Sequence, residues 1–414
     1  MISRVRGTED ILDLTLYNFI LDKAKKHLHV HNFTEIDTPI LEHTSLFVRA
    51  VGEQTDIVSK EMYVFNKDND EDSICLRPEI TASIIRAYFE NGIQQKPWKV
   101  FAHGPVFRKE RPQKGRWRQF TQLSIELIAA KEIENDAYFL KMIDSFVADV
   151  LKLENYAIKL NFLGCSQDRK EHRQALINFL EQNKSEMCQT CLDRKDKNPL
   201  RVFDCKLEQC QKILVTAPKI LDFLCTECST DWEKLTTLLG MLSVSYIVDH
   251  SLVRGLDYYN KTVFEFVSRC LGAQNAFCGG GRYTLGSEIQ GSEDVPCIGV
   301  GFGMGRMLML VEQNKEKLLI PPQPPLHVIL PMDEAQRPLA LILASELQSK
   351  GLCTDIILSK GSMTNLMKKA NRLGAKFVLI LGEDEQKNGT VSIKNMQSGS
   401  SSVVKQVDAV TSLK

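Results

Sequence analysis

The sequence predicts an α+β protein built from several domains, and three observations lead there. Strand-like runs and helical periods interleave through residues 1–165 and 239–318. Residues 166–238 change texture to short helical periods, many lysines and six of the 12 cysteines, which reads as a helical insertion. Residues 326–414 open with strand and helix alternating, a βαβαβ pattern that implies a small parallel or mixed sheet with covering helices. At roughly 150 residues per domain, 414 residues suggest about two to four domains. The segment Ile320-Pro321-Pro322-Gln323-Pro324-Pro325 is a stiff linker before the last domain.

In chain order, Leu14, Tyr17, Leu21, Ala24 and Leu28 keep helical spacing and predict a helix over 13–30. Thr34 to Leu41 reads as a strand. Pro39 cannot donate to a ladder, so that strand belongs at an edge or an interface. Tyr63–Phe65 and Ile74–Leu76 flank a polar turn, Asn66 to Asp72, as in a hairpin. Thr81 to Asn91 is helical, with Gly92 as a stop. Lys99–Phe107 and Phe120–Leu127 are strands around the polar loop 108–119. Strand signals return at Ser245–Asp249 and Val263–Val267. The final domain reads as strands His327–Leu330, Thr354–Leu358 and Phe377–Leu381 with helices Ala340–Gln348 and Met363–Leu373, and Ser398 to Ser402 as a flexible turn.

Composition narrows the function. The chain is 43% hydrophobic and 25% charged, ordinary for a globular protein. Lys plus Arg and Asp plus Glu both count 52, so a nucleic-acid partner must be held by local basic patches. No run of about 18 apolar residues suggests a membrane span. The N-terminus has no apolar signal core, and 12 cysteines without a leader point to a reducing, cytoplasmic setting.

There is no G-x-x-x-x-G-K-[ST] phosphate loop. Gly299, Gly301, Gly303 and Gly305 alternate, which breaks the dinucleotide fingerprint. They fit instead a strand whose backbone is approached closely, followed by a helix Arg306–Gln313. Arginines carry the nucleotide argument. Arg108 and Glu110, two apart at a strand end, can share one face of a sheet. Arg254 and Arg306 lie far along the chain. Guanidinium groups bind phosphate oxygens bidentately and keep their charge, so three converging arginines can hold a triphosphate without a phosphate loop.

The order of motifs then becomes specific. Arg6-Gly7-Thr8-Glu9-Asp10-Ile11, Thr38-Pro39-Ile40-Leu41-Glu42, Leu46-Phe47-Val48-Arg49 and Gly52-Glu53-Gln54-Thr55-Asp56 come first. Leu76-Arg77-Pro78-Glu79-Ile80-Thr81, the run Phe107 to Arg116, and Arg118-Gln119-Phe120-Thr121-Gln122 follow. Leu252-Val253-Arg254-Gly255-Leu256-Asp257-Tyr258-Tyr259-Asn260 and Gly279-Gly280-Gly281-Arg282-Tyr283 complete the set. Together they resemble the histidyl-tRNA synthetases, class II aminoacyl-tRNA synthetases, over nearly the whole chain.

The resemblance implies a class II synthetase core, an antiparallel sheet of six or seven strands flanked by helices, with a helical insertion and a C-terminal α/β anticodon-binding domain. It implies a homodimer with the segment around Pro39 in the interface, and L-histidine, ATP with Mg²⁺, and tRNA(His) as substrates. It assigns Arg108 to the α-phosphate and Arg306 to the γ-phosphate, with Arg116 also at ATP. It assigns Glu110 to the adenine amino group and Phe120 to stacking on the ring. Arg254 becomes the catalytic arginine at the carboxylate–phosphate junction, with Arg108 beside it. Glu79, Thr81, Gln122 and Tyr258 fall around the substrate's amino and carboxyl groups, and Glu126 and Tyr259 at its imidazole. Arg111 and Gln113, in a loop that also carries Trp117, would meet the tRNA acceptor end. Lys368, Lys369, Arg372 and Lys376 would face the anticodon. The rival reading is a non-catalytic paralogue, the regulatory subunit that assembles with ATP phosphoribosyltransferase.

Three departures from the family pattern stand out. Gly305 replaces a usual glutamate, Thr284 a common aspartate, and Ala129-Ala130 lack a usual glycine. Independently of any family, Cys188-x-x-Cys191, Cys205-x₄-Cys210 and Cys225-x-x-Cys228 have zinc-ligand spacing, against buried free thiols as the plainer reading. His27, His29 and His31 alternate near a helix end and are a weaker candidate for a metal.

Overall fold

The structure is a computed structural model, and it describes residues 2–53, 55–65, 73–113, 115–253, 258–272, 275–291 and 293–413. The polar turn 66–72, Gln54, Lys114 and the segment 254–257, with Arg254, lie outside the described residues. The chain forms two compact units, Met1–Ile320 and Pro321–Lys414.

The first unit is organised by an eight-stranded sheet. Its spatial order is Thr34–Glu35, Trp98–Phe107, Gln119–Ile128, Val295–Gly303, Ala276–Leu285, Tyr259–Val267, Ala157–Phe162 and Ile247–Val248. The two short outer strands run parallel to their neighbours, and all the inner pairings are antiparallel. One face packs on helices Thr15–Val30, Glu134–Ser145 and Thr226–Met241 through Phe19, Ile20, Leu28, Phe139, Ile143 and Leu235. Thr15–Val30 forms for the reason its spacing gives: Leu21, Ala24 and Leu28 are buried on one stripe, although Leu14 stands outside it and is exposed.

The strand expected over Thr34 to Leu41 is split. Only Thr34–Glu35 pairs at the sheet edge, and Leu41–His43 joins a separate three-stranded sheet with Ile74–Leu76 and Tyr63–Phe65. The cause is Arg77, which is 1% exposed. Its Nη1 donates to Thr38 O at 2.6 Å, to Thr38 Oγ1 at 2.9 Å and to Pro39 O at 3.3 Å, and its Nε to Pro105 O at 3.0 Å. Carbonyls that a strand neighbour would use are taken by a guanidinium.

Residues 166–238 fold as helices Ser166–Gln182, Gln189–Lys197, Glu208–Leu214 and Thr226–Met241 joined by 3₁₀ turns. They carry a small core of their own around Leu176, Leu180, Val202 and Leu214.

In the second unit a five-stranded mixed sheet runs Thr354–Ile356, Leu326–Pro331, Ala375–Leu381, Thr390–Asn395 and Ser401–Lys405. The first two pairings are parallel and the last two antiparallel. Ser401 and Ser402, expected in a flexible turn, are the start of a paired strand. The turn is confined to the residues before them, where Gly399 takes a φ of 74°.

Candidate active site

A cavity of about 460 Å³ opens on the sheet between the strand Gln119–Ile128 and the glycine strands. The two glycine strands face each other, Gly279 opposite Gly301 and Gly281 opposite Gly299. A Cβ on Gly299 would collide with the Glu126 carboxylate, and one on Gly301 would lie 2.7 Å from Gln122 Nε2. The alternating glycines therefore make room for polar side chains of the neighbouring strand, the close approach expected of them.

Carboxylates and phenols lie at or beside the cavity. Glu79 is 2% exposed and accepts the N–H groups of Thr81 at 2.7 Å and Ala82 at 2.8 Å, which satisfies the first turn of the helix Thr81–Glu90. Burial pushes its carboxyl above the usual range, against those hydrogen bonds. Glu126 is sealed from solvent, with Thr81 Oγ1 donating to one oxygen at 2.7 Å and Tyr283 OH to the other at 2.8 Å. Burial raises its pKa to about 8, and the nearby Glu79 adds to the rise. Glu126 does not line the cavity; Thr81, Tyr258 and Tyr259 do. The rings of Tyr258 and Tyr259 lie 4.6 Å apart, and Tyr258 and Tyr283 5.2 Å apart. Gln122, at the cavity wall, donates to Ser124 Oγ at 2.8 Å.

Arginines line the same cavity. Arg108 Nε donates to Pro78 O at 2.9 Å, its guanidinium sits 5.5 Å over the Phe120 ring, and Nη1 is 3.9 Å from Glu110. Arg116 forms an ion pair with the buried Glu110. Arg306 donates from Nε to Gly115 O at 2.7 Å and from Nη1 to Ala276 O at 2.6 Å. Its pKa is pulled down by burial first, then by the charges of Arg116 and Arg108, with Glu265 opposing. Three guanidinium groups, two from the loop after the strand Trp98–Phe107 and one from far along the chain, thus lie in one another's fields, and all three line the cavity. Such a cluster favours a polyanion.

Two of the three expected arginines, Arg108 and Arg306, are brought together. Val253 and Tyr258, on either side of the segment that carries Arg254, both line the cavity. Arg111 and Gln113 are exposed, beside a tight turn in which Gln113 N–H donates to Arg116 O at 3.1 Å and Gly115 takes a φ of 77°. Sequence reasoning passed over two residues. Tyr283 lay in a quoted motif without a role; its signal was a tyrosine beside three glycines. Glu265 lines the cavity, and its signal was a carboxylate in the middle of Val263-Phe264-Glu265-Phe266-Val267.

The departures have local explanations. A Cβ on Gly305 would lie 2.9 Å from the Trp117 ring, so the indole covers the space a glutamate would occupy. Thr284 Oγ1 accepts from Asn260 at 2.9 Å. Ala129 adopts a φ of 58°, the left-handed conformation a glycine takes without strain.

The cysteines divide. Cys188, Cys191, Cys205 and Cys210 converge, but Cys225 and Cys228 do not join them and lie instead with Cys165 and Asp168. The expected set of six is corrected to two separate groups, because Cys225 caps a helix whose start is bound to Asp168. His27 bonds Met142 O, His29 bonds Phe33 O and His31 bonds Tyr138 OH, at 3.0, 3.1 and 3.0 Å. Each imidazole thus has a partner within the fold, and the three are not among the convergent ligand groups found in the described residues.

An antiparallel sheet with a motif-bearing cavity and an inserted helical module is the class II aminoacyl-tRNA synthetase architecture. The histidyl-tRNA synthetase family model matches residues 15–306, an anticodon-binding domain model matches 327–414, and the chain belongs to the histidyl-tRNA synthetase family. It is 40% identical over 408 residues to histidine–tRNA ligase of Aquifex aeolicus, covering 98% of each chain. It is also 40% identical to that of Thermodesulfovibrio yellowstonii, over 96% of this chain and 94% of that one. The apo histidyl-tRNA synthetase of S. aureus superposes with a TM-score of 0.80 at 32% identity, covering 100% of this chain and 99% of that one.

Proposed function

We propose that the protein is a histidine–tRNA ligase: it activates L-histidine with ATP, forming histidyl-adenylate and pyrophosphate, and then transfers histidine to the 3′ end of tRNA(His). One observation carries this reading, the gathering of Arg108, Arg116 and Arg306 in the same cavity as Glu79, Thr81 and the tyrosines. The histidine carboxylate attacks the α-phosphorus, so no protein nucleophile is needed. Charge grows on the phosphoryl oxygens, and fixed cations there act by electrostatic stabilisation. Arg108 holds the α-phosphate and Arg306 the γ-phosphate, with Arg116 alongside, and Arg254 serves the carboxylate–phosphate junction. Phe120 stacks on adenine and Glu110 accepts from its amino group, giving up part of its pairing with Arg116 to do so. The carboxylate of Glu265, on the cavity wall, would hold the Mg²⁺ of an ATP–Mg²⁺ substrate complex, which would supply charge neutralisation at the outer phosphates.

Glu79, Thr81, Gln122 and Tyr258 receive the amino and carboxyl groups of histidine. Tyr259 meets the imidazole, and Glu126 reads it through the Thr81 and Tyr283 hydroxyls that hold both its oxygens. Polar groups left unpaired by an apolar side chain discriminate by roughly ten-thousandfold.

The exposed Arg111 and Gln113 contact the acceptor end, and the exposed Lys368, Lys369, Arg372 and Lys376 contact the anticodon. The exposed Ile40 and Leu41, beside Pro39, belong to a homodimer interface. Residues 1–165 and 239–318 act as the catalytic core, 166–238 as the insertion and 326–414 as the anticodon-binding domain. Zinc, held by cysteines of the insertion, is structural, since none of these cysteines lines the cavity. No helix among the described residues is long and apolar enough to cross a membrane, in keeping with a cytoplasmic enzyme.

Histidine-dependent ATP–pyrophosphate exchange tests the reading. Exchange that falls about a hundredfold in Arg254→Ala supports it. Its absence in the folded wild type favours the regulatory paralogue of ATP phosphoribosyltransferase.

A further inference from the structure

Cys188, Cys191, Cys205 and Cys210 place their four sulfurs within 4.8 Å of one another. The Cys188 and Cys205 sulfurs are 3.9 Å apart. A tetrahedral zinc with Zn–S of about 2.3 Å sets sulfurs about 3.8 Å apart, a spacing the Cys188–Cys205 pair already has and from which the other pairs, all within 4.8 Å, are at most a small adjustment away. Cys191, Cys205 and Cys210 are buried, and the Cys188 N–H donates to Cys210 Sγ at 3.4 Å, a contact that favours thiolate. Cys188 is the N-cap residue of the helix Gln189–Lys197 and Cys191 lies in its first turn, so the dipole of that helix also favours negative sulfur, while Cys210 sits in the shorter helix Glu208–Leu214. Helices this short do not hold by themselves.

The same segment is tied to the residue beside the cavity wall. Between Cys191 and Cys205 lies the 3₁₀ turn Pro199–Asp204. From it Arg201 Nη2 donates to Asp56 Oδ2 at 2.6 Å, while its carbonyl accepts from Arg194 at 2.9 Å. Asp56 precedes the helical turn Ile57–Glu61, whose Ile57 lines the cavity. The far end of that turn is tied by Lys109 N–H to Glu61 O at 2.7 Å, next to Arg108.

We propose that Cys188, Cys191, Cys205 and Cys210 bind one zinc ion as four thiolates, and that this centre fixes Arg201 against Asp56 and so sets the cavity wall at Ile57. Binding releases four protons to solvent and leaves a tetrathiolate centre of net charge two minus, with no change of oxidation state. The second group, Cys165, Asp168, Cys225 and Cys228, is a capping hub instead. Asp168 spends its two oxygens on the N–H groups of Cys165 and Cys225, each at 3.0 Å, and so joins the starts of two helices. Arg201 is a positioning residue, and its part in the proposal rests on the histidine–tRNA ligase reading; the metal site does not.

Elemental analysis of the full-length protein, purified under reducing conditions, gives about one zinc per chain. Cys188→Ser and Cys205→Ser lose zinc at least about tenfold, and Cys225→Ser keeps it. Should those serine variants fail to fold, wild type grown in cobalt shows the intense visible and sulfur-to-metal bands of a tetrahedral tetrathiolate. Folded wild type with neither zinc nor those bands overturns the site, even with exchange activity intact. Zinc that follows Cys225 overturns it as well. Arg201→Ala keeps its zinc and thermal midpoint but loses about fivefold in kcat/KM for exchange, and Arg201→Lys restores most of it. Unchanged kcat/KM in Arg201→Ala overturns the positioning role.

Discussion

Arg282 and Tyr283 are neighbours on the strand Ala276–Leu285, and each serves a different buried acid. Arg282 grips Asp136 from one face, with Nε 3.0 Å from Oδ1 and Nη1 donating to Ala130 O at 2.7 Å. Thr262 donates to the same carboxylate. Burial pushes Asp136 up and the Arg282 charge pulls it back. Tyr283 points to the other face, as successive strand residues do, and holds Glu126. Glu126 is just as buried, but the side chains bonded to it are hydroxyls. The first centre is electrically closed and belongs to the fold. The second has an acid with no cation bonded to it, beside a cavity whose arginines crowd one another. Imbalance of that kind marks where a ligand completes the structure.

The comparison breaks most visibly if the closed centre is opened. Arg282→Met strands Asp136 and should cost about 3–5 kcal/mol in chemical denaturation. A loss below about 1 kcal/mol would place the pair with exposed salt bridges.

The second prediction concerns pH. Glu126 titrates at about 8 in the fold, above its unfolded value, so the native state holds an extra proton between the two. Stability conferred by that proton is present in acid and is lost as pH rises toward 8. Denaturant midpoints should therefore fall by the equivalent of about 2–4 kcal/mol between about pH 5 and pH 8. Glu126→Gln should flatten this part of the profile; an identical slope in the variant removes Glu126 as its source.

The third prediction inverts the first. Arg306→Ala should cost about a hundredfold in ATP–pyrophosphate exchange with little change in stability, because its hydrogen-bond partners are carbonyls and the charges of Arg116 and Arg108 outweigh that of Glu265 around it. If Arg306→Ala unfolds the protein and leaves exchange intact, the two centres have been assigned the wrong way round. The smallest expected effect is at Ala129, whose left-handed backbone follows the strand that carries Glu126. Ala129→Gly should raise stability by about 0.5–1 kcal/mol in thermal unfolding.

Local pattern made much of this legible. The hairpin Tyr63–Phe65 with Ile74–Leu76, the helix Thr81–Glu90 and the close approach at the alternating glycines follow from spacing and turn chemistry. What could not be read depends on partners far along the chain. Arg77 breaks the strand at Thr38 from 39 residues away, and Tyr283 reaches Glu126 across 157. The helix Glu134–Ser145 and the strand Ala157–Phe162 went unnoticed; the helix buries Asp136, a residue that reads as solvent-facing until Arg282 is known to meet it. Cysteine spacing suggested metal ligands but could not say which pairs meet.

The space lent by Gly299 to the Glu126 carboxylate has a consequence for how such chains can diverge. A Cβ at 299 would collide with the Glu126 carboxylate where it now lies, and a small apolar residue at 126 would leave a hole over the glycine. Two positions on adjacent strands are thereby coupled: a side chain gained at 299 calls for a shorter or displaced one at 126, whereas an isosteric change at 126 leaves 299 untouched.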